Sequence, residues 1–225
     1  MHTHTSLDIS PYKTIIFDCD GVVLNSNQLK IQAYHQVAIQ YGASETQAKA
    51  LVDYHILLGG ISRYTKFEYF LREILKRPVT DDAMQQLFDA FGSEVERLLS
   101  DCEIAPGLQA LREATPGMRW LVVSGGDQLE LGKIFRQRQI AQYFEAGIFG
   151  SPDDKDAIIM RELANGNIIT PALYLGDSKY DHIASTNAGL DFIFLNGWTD
   201  FDGWQDYCSS NGIKVLNSID DLLKQ

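Results

Sequence analysis

Three short, unbroken apolar runs in this chain each stop abruptly at small or acidic residues, and no other feature constrains the fold as strongly. Thr14 to Phe17 stops at Asp18, Asp20 and Gly21; Trp120 to Val123 stops at Ser124, Gly125 and Gly126; Ala172 to Leu175 stops at Gly176 and Asp177. Two further apolar runs, Phe192 to Leu195 and Lys214 to Leu216, lie near the end of the chain. Continuous apolar residues, rather than alternation, predict strands covered on both faces, as in a parallel sheet. Helical periodicity fills the gaps. Gln128 to Phe144 follows a cap at Asp127, and Asp156 to Leu163, Asp181 to Ala188 and Ser218 to Leu223 complete the pattern. Strand and helix in alternation predict an α/β fold, a doubly wound parallel sheet of the Rossmann kind.

The stretch from Asn27 to about Cys102 breaks this rhythm. It has no good apolar strand, but four helical patterns, Leu29 to Tyr41, Glu45 to Leu58, Tyr64 to Leu75 and Asp81 to Leu99. The chain therefore divides into a core of residues 1–26 and 104–225 and an inserted helical block of residues 27–103, with joints near Asn25–Gln28 and Ile104–Gly107.

Composition removes several function classes. With 45% hydrophobic and 22% charged residues the chain is neither disordered nor fibrous. A net charge of -11 repels phosphate backbones and anionic lipid, so neither nucleic acid nor a membrane surface is an expected partner. The polar stretch Met1 to Ser10, with His2 and His4, lacks the basic start and apolar run of a secretory signal, and no run of roughly 18 apolar residues occurs. Cys19, Cys102 and Cys208 are far apart with no CxxC spacing, which suits reduced thiols, and Cys19 is read as a packing residue. A cytoplasmic monomer or homodimer is the expectation.

In an open α/β sheet, ligands collect beyond the carboxyl ends of the strands, where the polar clusters fall. Asp18 and Asp20 stand two residues apart after one strand; Asp177 and Asp181 follow another. Clustered carboxylates repel unless they share a cation, and hard oxygen donors suit Mg2+, which would also supply the positive charge an anionic ligand needs. Ser124, followed by Gly125 and Gly126 toward a helix start, offers a hydroxyl and unobstructed N–H groups to an oxyanion, and Lys155, in the loop after Gly150 to Pro152, adds a fixed positive charge. Taken singly, an Asp pair is a turn or helix cap and a lysine is solvated. Their order at successive strand ends favours a site.

The segments Phe17-Asp18-Cys19-Asp20-Gly21-Val22-Val23-Leu24, Ser124 after Leu121-Val122-Val123, Lys155, and Gly176-Asp177-Ser178-Lys179-Tyr180-Asp181 together resemble the four motifs of the haloacid dehalogenase (HAD) superfamily, phosphatase branch. The helical block matches the place and size of that family's C1 cap. The resemblance implies a phosphomonoesterase acting on a small phosphorylated molecule, with Asp18 as nucleophile and Asp20 as general acid and base. It also implies Mg2+ held by Asp18, Asp20 (through its backbone carbonyl) and Asp177 with Asp181 in support, and Ser124, Gly125 and Lys155 around the phosphoryl group. The chain departs from many capped relatives at Asn25, where they carry Asp, and at Asp156, where Pro follows their lysine. A phosphosugar mutase of the β-phosphoglucomutase type, marked by dependence on a bisphosphate, and a catalytically silent phosphate-binding regulatory module are the rival readings.

Within the block, Gly59-Gly60-Ile61-Ser62-Arg63-Tyr64 breaks two helical patterns. Ser62, Arg63 and Lys66 are candidate substrate-binding residues; equally, the glycines end one helix, Ser62 caps the next and Arg63 is solvated. Tyr64, Phe67, Tyr69 and Phe70 are read as core of the block, and His35 and His55 as packed or exposed rather than metal-bound. The segment Leu51 to Leu71 looks similar to HAD proteins associated with bacterial surface-sugar biosynthesis, which implies a phosphorylated sugar or sugar acid.

Overall fold

Strand β1 (Thr14–Phe17) is buried along its whole length. The computed structural model, which describes residues 8–223, places it between β2 (Arg119–Asp127) and β4 (Ala172–Gly176), parallel to both. With β3 (Gly147–Ser151), β5 (Asp191–Leu195) and β6 (Lys214–Leu216) they form one parallel sheet in the order β3-β2-β1-β4-β5-β6. Side chains alternate between its faces. Ile15, Phe17, Trp120, Val122, Leu173 and Leu175 enter one apolar cluster, whereas Ile16, Leu121, Val123 and Tyr174 enter another. Both faces are covered, so the runs read as continuous.

Helices α1 (Asn27–Gln40), α2 (Glu45–Leu57), α3 (Arg63–Tyr69), which runs on as a π-helical turn over Phe70–Ile74, and α4 (Asp81–Leu99) occupy the stretch between β1 and β2. Ser44 and Gln47 close a capping box at the start of α2, and Thr80 caps α4. Their apolar stripes meet around Phe67, Phe70, Leu87 and Phe91, all buried, whereas Tyr64 and Tyr69 are only half-buried and pack on Phe88 and Tyr54. The entering and leaving chains run side by side: Asn25 N–H donates to Glu103 O and Ala105 N–H to Val23 O, both at 2.9 Å. Helices α5 (Leu108–Ala114), α6 (Gln128–Gln137), α7 (Lys155–Ala164), α8 (Lys179–Asn187) and α9 (Trp204–Asn211) complete the fold. No helix among the described residues is long and apolar enough to cross a membrane. Met1 to Leu7, including His2 and His4, lie outside the described residues.

Several elements differ from the sequence expectation. Strand β2 continues through Ser124, Gly125 and Gly126, with a register irregularity between Val123 and Asp127, so the glycines do not open the helix. The long pattern Gln128–Phe144 breaks after α6: Gln139 has φ 57, a 3-10 turn follows at Ala141–Tyr143, and Leu129, an apolar residue of that pattern, is exposed. Lys155 is the first residue of α7, capped by Asp154, rather than a loop residue. Ile219–Leu222 forms a 3-10 turn rather than an α-helix.

Candidate active site

The strand order reverses between β1 and β4, and the carboxyl ends of these neighbours form the crevice where a doubly wound sheet takes ligands. Asp18 follows β1, its N–H donating to Leu175 O at 2.9 Å; Asp177 follows β4. The close approach depends on Gly21: its φ is 75°, and a Cβ there would lie 2.0 Å from Asp177 Oδ2.

Oxygens of Asp18, Asp177 and Asp181, all buried, lie within 4.8 Å of one another. Lys155 Nζ reaches from α7 to within 2.9 Å of Asp18 Oδ1 and donates to Asp181 Oδ1 at 2.5 Å. Asp181 has further internal donors. Tyr174 Oη lies 3.1 Å from its Oδ1, and Ser178 donates its N–H and hydroxyl to Oδ2 at 3.0 and 2.7 Å, within the capping box of α8. Asp177 accepts at 2.7 Å from Asn27 Nδ2, which also donates to Trp198 O. The Asp20 carboxylate is not part of this group and accepts instead from Ser26 Oγ at 2.5 Å and from Lys30 Nζ.

These surroundings separate the acids electrostatically. Burial pushes Asp18 up to about 7 against the pull of Lys155, with Asp181 and Asp20 adding to the rise. Burial, then Asp18 and Asp181, push Asp177 well above the usual carboxylate range. Burial opposes ionisation of Asp20 too, but Lys30 and Ser26 outweigh it and hold that carboxyl below its usual value. Two acids that resist ionisation together, and a buried Asp18 Oδ1 with no donor aligned on it, suit a hard divalent cation such as Mg2+. Asp181, already supplied with donors, braces Lys155 and the start of α8.

Gly125 and Gly126 line the same cavity as Asp18, Asp20 and Asp177. Ser124 does not: it is fully buried and its Oγ accepts from Gly126 N–H at 3.0 Å. The helical block closes over the cavity through the turn at residues 59–61. A Cβ on Gly125 would lie 2.2 Å from Gly60 O, so the two backbones touch. The enclosed space is about 40 Å³, room for a few waters.

The candidates on the block separate. Ser62 caps α3 by accepting from Tyr64 N–H at 3.3 Å and does not line the cavity. Arg63 is buried rather than solvated, and grips Glu130 of α6 with two bonds of 2.6 and 2.5 Å. Lys66 is buried beside His55, whose Nδ1 lies 2.8 Å from Lys66 Nζ, and both line the cavity. Sequence reasoning missed Asn27, Lys30 and Asp200. Asn27 and Lys30 sit one turn apart at the start of α1, a polar i, i+3 pair that follows the acidic strand end by a few residues; that spacing was the available signal.

The comparisons with known proteins bear on this geometry. A protein described as "Phosphorylated carbohydrates phosphatase" from Thermotoga maritima is 24% identical over 193 residues, covering 81% of this chain and 84% of the relative. Among solved structures, a "predicted phosphatase" from Clostridium acetobutylicum superposes with a TM-score of 0.73 at 18% identity, covering 95% of this chain and 97% of the other. A hydrolase from Pseudomonas syringae gives 0.70 at 17% identity, with 95% and 97% covered. The family model for haloacid dehalogenase-like hydrolases matches residues 15–195, from the first strand to the end of β5, and this chain therefore belongs to that family.

Proposed function

We propose that the protein is a Mg2+-dependent phosphomonoesterase that hydrolyses a small phosphorylated sugar or sugar acid through an aspartyl-phosphate intermediate, with residues 27–103 acting as a cap over the site. The observation that carries this reading is the buried Asp18 carboxylate, 2.9 Å from Lys155 and grouped with Asp177 at the reversal of strand order. The name of the Thermotoga maritima relative supports a carbohydrate substrate.

Asp18 attacks phosphorus; Asp20, held ionised in the free site by Lys30 and Ser26, takes the proton of the phosphomonoester monoanion and hands it to the leaving oxygen. Asp20, then ionised beside Lys30 and Ser26, accepts the proton of a water that attacks the aspartyl phosphate and regenerates Asp18. Lys155 holds the Asp18 carboxylate and, with the N–H groups around Gly125, faces the phosphoryl oxygens; Ser124 keeps that backbone in place through Gly126. Asp18, the Asp20 carbonyl and Asp177 would hold Mg2+, backed by Asp181. When bound, the cation supplies the positive charge that offsets phosphoryl and carboxylate repulsion.

Purified protein with Mg2+ should release inorganic phosphate from an aryl phosphate, and Asp18→Asn should abolish the release while the fold persists. Activity undiminished by chelation, or a fully active Asp18→Asn variant, overturns the mechanism. Interconversion of sugar phosphates without net phosphate release, dependent on a bisphosphate, would identify a mutase instead.

A further inference from the structure

The buried cations differ in how they are paired: Lys30, Arg63 and Lys66 line the cavity, and Lys155 lies behind Asp18. Lys30 meets Asp20, Arg63 meets Glu130 and Lys155 meets both Asp18 and Asp181. Lys66, only 1% exposed on α3, forms no ion pair among the described residues. Its one hydrogen-bond partner among them is His55 Nδ1, and the Tyr34 ring lies 5.6 Å from its Nζ. Asp200 also lines the cavity and draws Lys66 electrostatically, but no contact joins them. A buried ammonium without an anion is costly, and a site that keeps one is complementary to a negative charge absent from the chain itself.

His55 points to the same conclusion. Burial and the nearby Lys66 and Lys30 hold it well below its usual range, so it is neutral. With Lys66 as the ammonium donating to Nδ1, the neutral ring carries its proton on Nε2, which is buried with no partner among the described residues. Two donors on α2 and α3, the free N–H bonds of Lys66 and the Nε2–H of His55, are thus left unfilled in a cavity shared with Asp18. Burial and Lys30 bring Lys66 down to about 7, a penalty that an incoming anion relieves.

We infer that Lys66 and His55 form a subsite for an acid group on the leaving-group side of the substrate, so that the molecule hydrolysed carries a second negative charge besides the phosphoryl group it loses. This rests on the phosphatase reading and narrows its substrate class. A carboxylate or a second phosphate would each engage both donors; a neutral hydroxyl would leave the ammonium uncompensated.

The test compares glucose 1-phosphate, glucuronic acid 1-phosphate and glucose 1,6-bisphosphate as substrates of the Mg2+-loaded full chain. Wild type should favour at least one of the acid-bearing sugars over the neutral one by about tenfold or more in kcat/KM, the range expected for hydrogen bonds to a charged group. Lys66→Met should bring that ratio close to one, and Lys66→Arg should keep part of it. Equal kcat/KM for all three in wild type overturns the inference, as does a Lys66→Met variant that slows every sugar by the same factor. If none of the three releases phosphate and an aryl phosphate is also left intact, the phosphatase reading fails separately; if only the aryl phosphate is hydrolysed, that reading stands. Calorimetric binding of the same three to wild type and Lys66→Met then decides the subsite: tighter acid binding that depends on Lys66 sustains it, and equal binding overturns it.

Discussion

Substituting Gly125 by alanine tests whether the turn at residues 59–61 must touch the sheet for the proposed reaction to run. The added Cβ would sit 2.2 Å from Gly60 O, 2.9 Å from Gly60 C and 3.3 Å from Ile61 C, whereas ordinary contact begins near 3.4 Å. The carbonyl must therefore retreat by about 1.2 Å, and the obstruction is backbone, which has no rotamer to yield. Gly125 itself does not have a left-handed backbone, so alanine adds no torsional strain there. The same turn lies over the proposed catalytic groups, since a Cβ on Gly60 would be 3.5 Å from Lys155 Nζ. A displacement of this size at an active site lowers the rate by about 100-fold. The expected result is a fall of that order in kcat/KM for a sugar phosphate, with a urea unfolding midpoint close to wild type because the turn, not the sheet, moves. Full activity in a folded Gly125→Ala variant refutes the reasoning, and so does global unfolding, which would mean that the turn cannot yield.

Two further outcomes follow from the electrostatics. Asp18 binds its proton up to about 7 in the folded state but only to 3.8 when unfolded, so between these values the native state holds the extra proton and stability falls as pH rises. Thermal unfolding in chelator should thus show a lower Tm at about pH 8 than at about pH 5, with Mg2+ raising Tm more at the higher pH; a flat profile would show that Asp18 is not held this way. Glu130→Gln leaves the Arg63 guanidinium, 4% exposed, without its anion, and should cost about 2–3 kcal/mol in urea denaturation, below the full range for buried pairs because Glu130 is 26% exposed. An unchanged midpoint would show that the pair contributes nothing net.

What could be read from sequence was whatever a strand end imposes locally. β1 and β6 fall on the expected residues, and Asp18, Asp177 and Lys155 converge because each sits where a parallel strand or its following helix meets the crevice. β3 was not legible: Gly147-Ile148-Phe149-Gly150-Ser151 has two glycines and lies at the sheet edge, half-buried, so it carries no apolar run. Helices α5 and α9 are seven and eight residues long with one or two buried side chains each, too short for a stripe to register. The pairing of Arg63 with Glu130 and of Lys66 with His55 joins separate helices, and no periodicity along one segment encodes such a contact. Composition hid it further, because a buried lysine looks in sequence like any solvated one.

The parallel arrangement also orders events during synthesis. Thr14 pairs with Ala172, so the first strand made waits for a neighbour that emerges more than 150 residues later, roughly ten to thirty seconds at ribosomal speed. Until then one edge of Thr14-Ile15-Ile16-Phe17 is unpaired and apolar, a binding target for a chaperone on the nascent chain. Because Asp177 arrives on the strand that ends this wait, the proposed cation site cannot form before the two halves of the sheet have met, and binding of a cation there would report that the chain has been completed through β4.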